Sequence, residues 1–178
     1  AETLQSLGAK TTLVSGPTSL TKPNVDRVIN VVSADQMLEA CESSLPADIA
    51  ICAAAVADYK IANKEITKIK KDGYRQNMVL EENPDILERL SKRNHLRPKL
   101  VVGFAAETRN LEKNSNEKLN KKGCDWVLGN NVSENNIFNQ DTNKIYFTSK
   151  LYSEDWELMT KKEVAKKLCE KISLHLNN

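Results

Sequence analysis

The residues of this chain that could do chemistry sit where apolar runs end. In Asp48 to Lys71, DIAICAAAVADYKIANKEITKIKK, an apolar and small-residue run from Ile49 to Val56 turns polar at Asp58. It then closes on a cationic knot of Lys68, Lys70 and Lys71. The run is too short to cross a membrane and has the length of a strand buried on both faces. A buried strand with an acid at its carboxyl end and lysines just beyond is how open α/β sheets build ligand crevices. Ala53, Ala54, Ala55 and Ala57 flank Val56 with no bulky side chain, so a flat ligand could lie against the backbone. A core strand followed by a solvated charged loop would carry the same pattern.

Two further apolar runs end in small or polar groups, at Phe104 to Thr108 and at Leu128 to Ser133. In a parallel sheet, strand ends of this kind share one edge, so all three are expected to converge. Asn83-Pro84-Asp85 reads as a helix start with Asn as N-cap, Pro at the first helical position and a carboxylate in the first turn. Its free N–H groups would suit an anionic ligand. Lys118 and Lys122 are four residues apart on a predicted helix and share a face. With Lys68 they could place three positive charges around a polyphosphate; a solvated helix face is the other reading of the pair.

The elements that must hold these groups alternate between strand and helix. Ala1 to Leu7 looks like a helix tail stopped by Gly8, which implies an upstream strand and turn outside residues 1–178. Strands are expected at Thr11–Ser15, Arg27–Val32, Ile49–Val56, Leu100–Phe104 and Trp126–Leu128, with a late hairpin over 143–158. Helices are expected from the capping box at Ser33, from Asn83 to about Arg93, from Leu111 to Lys122 before Gly123, and from the capping box at Thr160. The last carries Val164, Leu168, Ile172 and Leu176 on one stripe. The pattern predicts one α/β domain over residues 1–178, a doubly wound, mostly parallel sheet with helices on both faces. That is a Rossmann-like fold whose N-terminal strand and turn are missing from residues 1–178.

Composition narrows the function classes. With 26 basic against 24 acidic residues the net charge is only +2, which does not advertise a nucleic-acid binder. Neither a membrane-length apolar run nor a signal-peptide h-region occurs in the sequence given. Cys41, Cys52, Cys124 and Cys169 are scattered, with no C-x-x-C pair and no neighbouring histidine, so no metal site is predicted and reduced thiols in a cytoplasmic protein are expected. Neither G-x-x-x-x-G-K-[ST] nor G-x-G-x-x-G is present. His95 and His175 sit among polar residues as surface groups, and Trp126 reads as core.

The words LVSGPTSL (Leu13 to Leu20), AAVADY (Ala54 to Tyr59), KIKK (Lys68 to Lys71), NPDIL (Asn83 to Leu87), VVGFAAET (Val101 to Thr108) and NNVS (Asn130 to Ser133) occur in this order. In them the chain resembles the bacterial CTP-dependent phosphopantothenate–cysteine ligases of coenzyme A biosynthesis, over almost its whole length. The resemblance implies that the carboxylate of 4′-phosphopantothenate attacks the α-phosphate of CTP, with Mg²⁺, and that cysteine then displaces CMP from the acyl-cytidylate. Carried over by motif, Asp58, Asn83, Pro84, Asp85 and Ile86 would hold the nucleotide, and Phe104, Lys118 and Lys122 would line its site. Lys68 matches the family's catalytic lysine, and Ala54 and Ala55 match the small residues beside the substrate.

The resemblance also implies a homodimer, with the segment after AAVADY and the late hairpin near the partner. A flavin-using decarboxylase half would stand in the full-length parent, so no flavin is expected for residues 1–178. Two departures stand out: the family's opening strand and glycine-rich loop lie outside residues 1–178, and Asn131 replaces an aspartate common among relatives. The same sheet edge would also serve an NADPH-binding reductase-type domain, and the truncated start would suit an inactive interaction domain.

Overall fold

A computed structural model of the chain describes residues 1–63, 77–131 and 142–177. The helices are α1 (Glu2–Ser6), α2 (Ala34–Ser43), α3 (Ile86–Ser91), α4 (Leu111–Lys122) and α5 (Lys161–Asn177). The first strands are β1 (Thr12–Ser15), β2 (Arg27–Asn30), β3 (Ile49–Cys52), β4 (Tyr59–Ile61), β5 (Leu80–Glu82) and β6 (Leu100–Glu107). They are followed by β7 (Trp126–Asn131), β8 (Thr142–Asn143), β9 (Ile145–Ser149), β10 (Ser153–Asp155) and β11 (Met159–Thr160).

The central sheet has the order β10-β9-β7-β6-β3, with β3, β6 and β7 parallel and β9 and β10 antiparallel at the far edge. Its middle strands are aliphatic because both faces are covered. On one face Leu100, Val102, Trp126, Leu128, Ile145 and Phe147 meet the α5 stripe of Val164, Leu168 and Ile172. On the other, Val101, Ala105 and Val127 meet Leu87 of α3 and Leu119 of α4. Helices therefore cover both faces of a mostly parallel sheet, as predicted.

Local signals operate as read. Ser33 accepts the Gln36 N–H at 3.2 Å, and Thr160 and Glu163 cap each other reciprocally. Gly123 ends α4 at φ +70°, a left-handed conformation that side chains with a Cβ resist.

The sheet is not continuous. β1 and β2 form a separate parallel pair, and β1 and β3 each keep one edge without a partner strand among the described residues. A cavity of about 2320 Å³ opens between them, lined by both strands. The expected strand from Ile49 to Val56, buried on both faces, is corrected accordingly. It stops at Cys52, all four of its residues are only half-buried, and Ala53 to Ala55 are exposed on the cavity wall. An edge strand facing open space cannot bury its second side, whatever its composition.

Candidate functional site

The cavity wall is built from the carboxyl end of β3 and the loop that follows it. Past Cys52 the chain runs irregularly through Ala53–Ala57 to Asp58, then enters the antiparallel ribbon of β4 and β5. Asn83, at the far end of the ribbon, holds that loop: its amide nitrogen donates to the Ala57 carbonyl at 2.9 Å, and its backbone N–H to the Asp58 carbonyl at 2.8 Å. The predicted helix start at Asn83 is thus corrected by two residues. Asp85 is the N-cap, accepting the Glu88 N–H at 2.9 Å, and α3 begins at Ile86. Asn83 caps nothing because its side chain is committed to the loop.

Asp85 does two jobs with its two oxygens. While Oδ1 caps α3, Oδ2 takes the ammonium of Lys122, which also lies 3.9 Å from Glu88. Burial pushes the Asp85 carboxyl up, but the Lys122 hydrogen bond, the Glu88 N–H and the charges of Lys122 and Lys118 outweigh it, leaving the pKa below its ordinary value. Lys122 is held above its ordinary pKa, chiefly by the same hydrogen bond. Its side chain is only 18% exposed, which excludes the solvated-face reading for this lysine. Lys118 is half-buried one turn earlier and has no ion pair among the described residues.

Asp58, Asn83, Pro84, Asp85, Ile86, Phe104, Lys118 and Lys122 all line this one cavity, together with Ala54 and Ala55. Phe104 reaches it from β6 and is half-buried, packed against the α5-side core. Lys68, Lys70 and Lys71 lie outside the described residues, as do Val132 and Ser133. The carboxyl ends of β6 and β7 share one edge as expected, with Glu107 beside Asn131, but Glu107, Thr108, Asn130 and Asn131 do not line the cavity. Their strands simply run on past the expected turns.

Sequence reasoning missed Lys60, which lines the same cavity one residue after Tyr59. Its position at the close of the AAVADY word was the available signal. Cys52 also lines the cavity, but burial pushes its thiol up to about 12, and burial likewise raises Cys124 to about 11, so neither is a nucleophile at neutral pH. Among the described residues no three metal-binding side chains cluster. No helix among them is long and apolar enough to cross a membrane.

Comparison with known proteins gives a consistent result. Residues 1–175 match the family model described as the DNA/pantothenate metabolism flavoprotein C-terminal domain. The chain is 40% identical over 174 residues to the coenzyme A biosynthesis bifunctional protein CoaBC of Haemophilus influenzae, covering 97% of this chain and 43% of that protein. Identity to the protein of the same name from Borreliella burgdorferi is 35% over 165 residues, covering 91% and 41%. The chain thus spans less than half the length of these relatives. Among solved structures, the C-terminal domain of a CoaBC protein superposes with a TM-score of 0.79 at 32% identity, covering 99% of this chain and 80% of that one. A family match over nearly all residues, with the same fold, makes this chain a member of the DNA/pantothenate metabolism flavoprotein C-terminal domain family.

Proposed function

We propose that this domain is a ligase of coenzyme A biosynthesis that joins 4′-phosphopantothenate to cysteine through an acyl-cytidylate formed from CTP. The observation that carries the reading is the gathering of Asp58, Asn83–Ile86, Phe104, Lys118 and Lys122 around one alanine-walled cavity. Its relatives' name as a coenzyme A biosynthesis protein gives it the pathway.

In the first step a substrate carboxylate oxygen forms a bond to the α-phosphorus of CTP, and the bond to the β-phosphate bridging oxygen breaks, releasing pyrophosphate. In the second the cysteine amine attacks the acyl carbon, loses a proton, and CMP leaves with the bonding electrons. Both steps redistribute charge over phosphate oxygens. A nucleotide with about four negative charges therefore depends on positioning and on fixed cations. Lys118 and Lys122 supply such cations on one helix face, and Lys68 is the lysine we place against the phosphates and the acyl intermediate. Ala54 and Ala55 let the substrate approach the backbone.

The wall fits magnesium only in the way magnesium usually binds to nucleotides. Asp58 and Glu82 line the cavity with no ion pair among the described residues, and one or two carboxylates plus substrate phosphates are its customary donors. When bound, the ion would neutralise phosphate charge. The free edges of β1 and β3 favour the same family reading. A parallel strand between them, followed by a glycine-rich loop, would complete a doubly wound sheet beside the site.

The ribbon supports a homodimer. Tyr59, Ile61 and Leu80 are 57%, 41% and 59% exposed, a patch suited to a second copy. In the full protein a decarboxylase half would accompany this domain in the cytoplasm. A pyrophosphate-release assay on the full protein tests the reading, with Lys68→Ala expected to lower turnover on the order of 10³-fold. Tight NADPH binding with no response to CTP would overturn it in favour of a reductase-type domain.

A further inference from the structure

The ribbon of β4 and β5 is a two-stranded antiparallel piece that joins no other sheet among the described residues. Such a pair is marginally stable in water by itself, so something must fix it. Its residues alternate between faces. Tyr59 and Ile61 point one way and are exposed, while Lys60 points the other and has a side chain only 23% exposed. Lys60 donates to Asp35 of α2 at 2.7 Å and lies 3.6 Å from Glu81, its direct cross-strand neighbour. Asp35 is itself well placed, in the first turn of α2 at the positive end of the helix dipole. The Asp35 hydrogen bond, more than any other influence, holds the Lys60 ammonium above its ordinary pKa.

We propose that Lys60 is a positioning residue for the nucleotide: with Asp35 and Glu81 it staples the ribbon to α2 and so fixes the loop that carries Asp58. Asp58 is two residues upstream, and its carbonyl is already held by Asn83 on the other side. The loop is therefore clamped between two anchors, one to its own backbone and one across to α2. Among the described residues, Lys60 makes the ribbon's ion pair to α2. Opening that end would leave Asp58 tethered by Asn83 alone. Lys118 and Lys122 on α4 would not move, so nucleotide capture should suffer more than turnover.

The inference rests on the ligase reading only for the identity of the nucleotide, and the test separates the two. In Lys60→Met of the full protein, amide hydrogen exchange at Tyr59–Ile61 and Leu80–Glu82 should accelerate while β6 stays protected. The KM for CTP should rise roughly three- to fivefold with kcat within about twofold, Asp35→Asn should reproduce this, and Lys60→Arg should restore both readouts. Unchanged exchange in the ribbon overturns the staple. Faster exchange with an unchanged KM overturns its role in positioning. Wild-type protein that does not respond to CTP overturns the ligase reading instead, and the exchange result then decides the staple by itself.

Discussion

The two flanks of β3 are built from the same residue types yet end in different physical states. On the β6 side, Leu100, Val101 and Val102 are fully buried, as are Val127 and Leu128 on β7. On the β1 side, Leu13 to Ser15 and Ile49 to Cys52 are only half-buried, although they are just as aliphatic and equally parallel. What separates them is the neighbour: strand pairs on one side, the cavity on the other. A packed centre suits rigidity, and a seam with open edges and bare alanines suits a ligand. The candidate residues follow that division in large part: most line the cavity from β3's end, the ribbon, α3 and one face of α4, while Phe104 alone of them reaches it from β6.

The largest effects should fall on the packed side. Phe147 is fully buried, stacks on Trp156 at 5.9 Å between ring centroids, and has the Lys171 ammonium 4.8 Å from its own. Phe147→Ala should cost about 3–5 kcal/mol in urea unfolding. A loss under 1 kcal/mol would mean that this core relaxes freely, and the contrast would dissolve. Next comes Gly129 of β7, where an added Cβ would lie 2.3 Å from Ser115 Oγ and 2.8 Å from Leu111 Cδ1. Gly129→Ala should cost about 1–3 kcal/mol by forcing α4 off the sheet. On the seam, Ile51→Ala should cost less, about 1–2 kcal/mol, since the side chain is only half-buried to begin with. If Ile51→Ala costs as much as Phe147→Ala, the seam is as tightly packed as the centre.

The same division governs how much could be read from the residues alone. Signals that act within a few residues transferred directly: Ser33 with Gln36, Thr160 with Glu163, and Gly123 behind α4. The resemblance words contain Asp58 and Phe104, and both line the cavity, as does Lys118 of α4. Errors arose where distant parts of the chain decide. Ile49–Val56 has the composition of a strand with two covered faces, but its burial depends on what stands beside it. Asn83 has the residue type of a cap, but the Ala57 carbonyl competes for its amide and wins. β7 runs through Gly129-Asn130-Asn131 because pairing with β6 and β9 continues there, overriding the turn preference of those residues. Lys60 pairs with Asp35, 25 residues away in sequence, so no spacing within its own stretch marks that partner.

The smallest effect, and the one with a definite pH signature, belongs to the Asp85–Lys122 pair on the seam. Asp85→Asn keeps an N-cap of equal quality for α3 and removes only the charge facing Lys122. Because the pair is partly exposed, the change should cost no more than about 1 kcal/mol at neutral pH. The Asp85 pKa is lowered on folding, so its contribution is present above the ordinary value of 3.8 and is lost as pH falls through the lower folded value. The Lys122 pKa is raised, so its contribution is complete below 10.5 and is lost as pH climbs through the raised folded value. The stability gap between wild type and Asp85→Asn should therefore stay constant across the neutral range and close only at the acid and alkaline ends. Urea titrations of both proteins at matched pH values measure that gap. A gap that narrows between mildly acidic and neutral pH would assign it to a group other than Asp85 and Lys122.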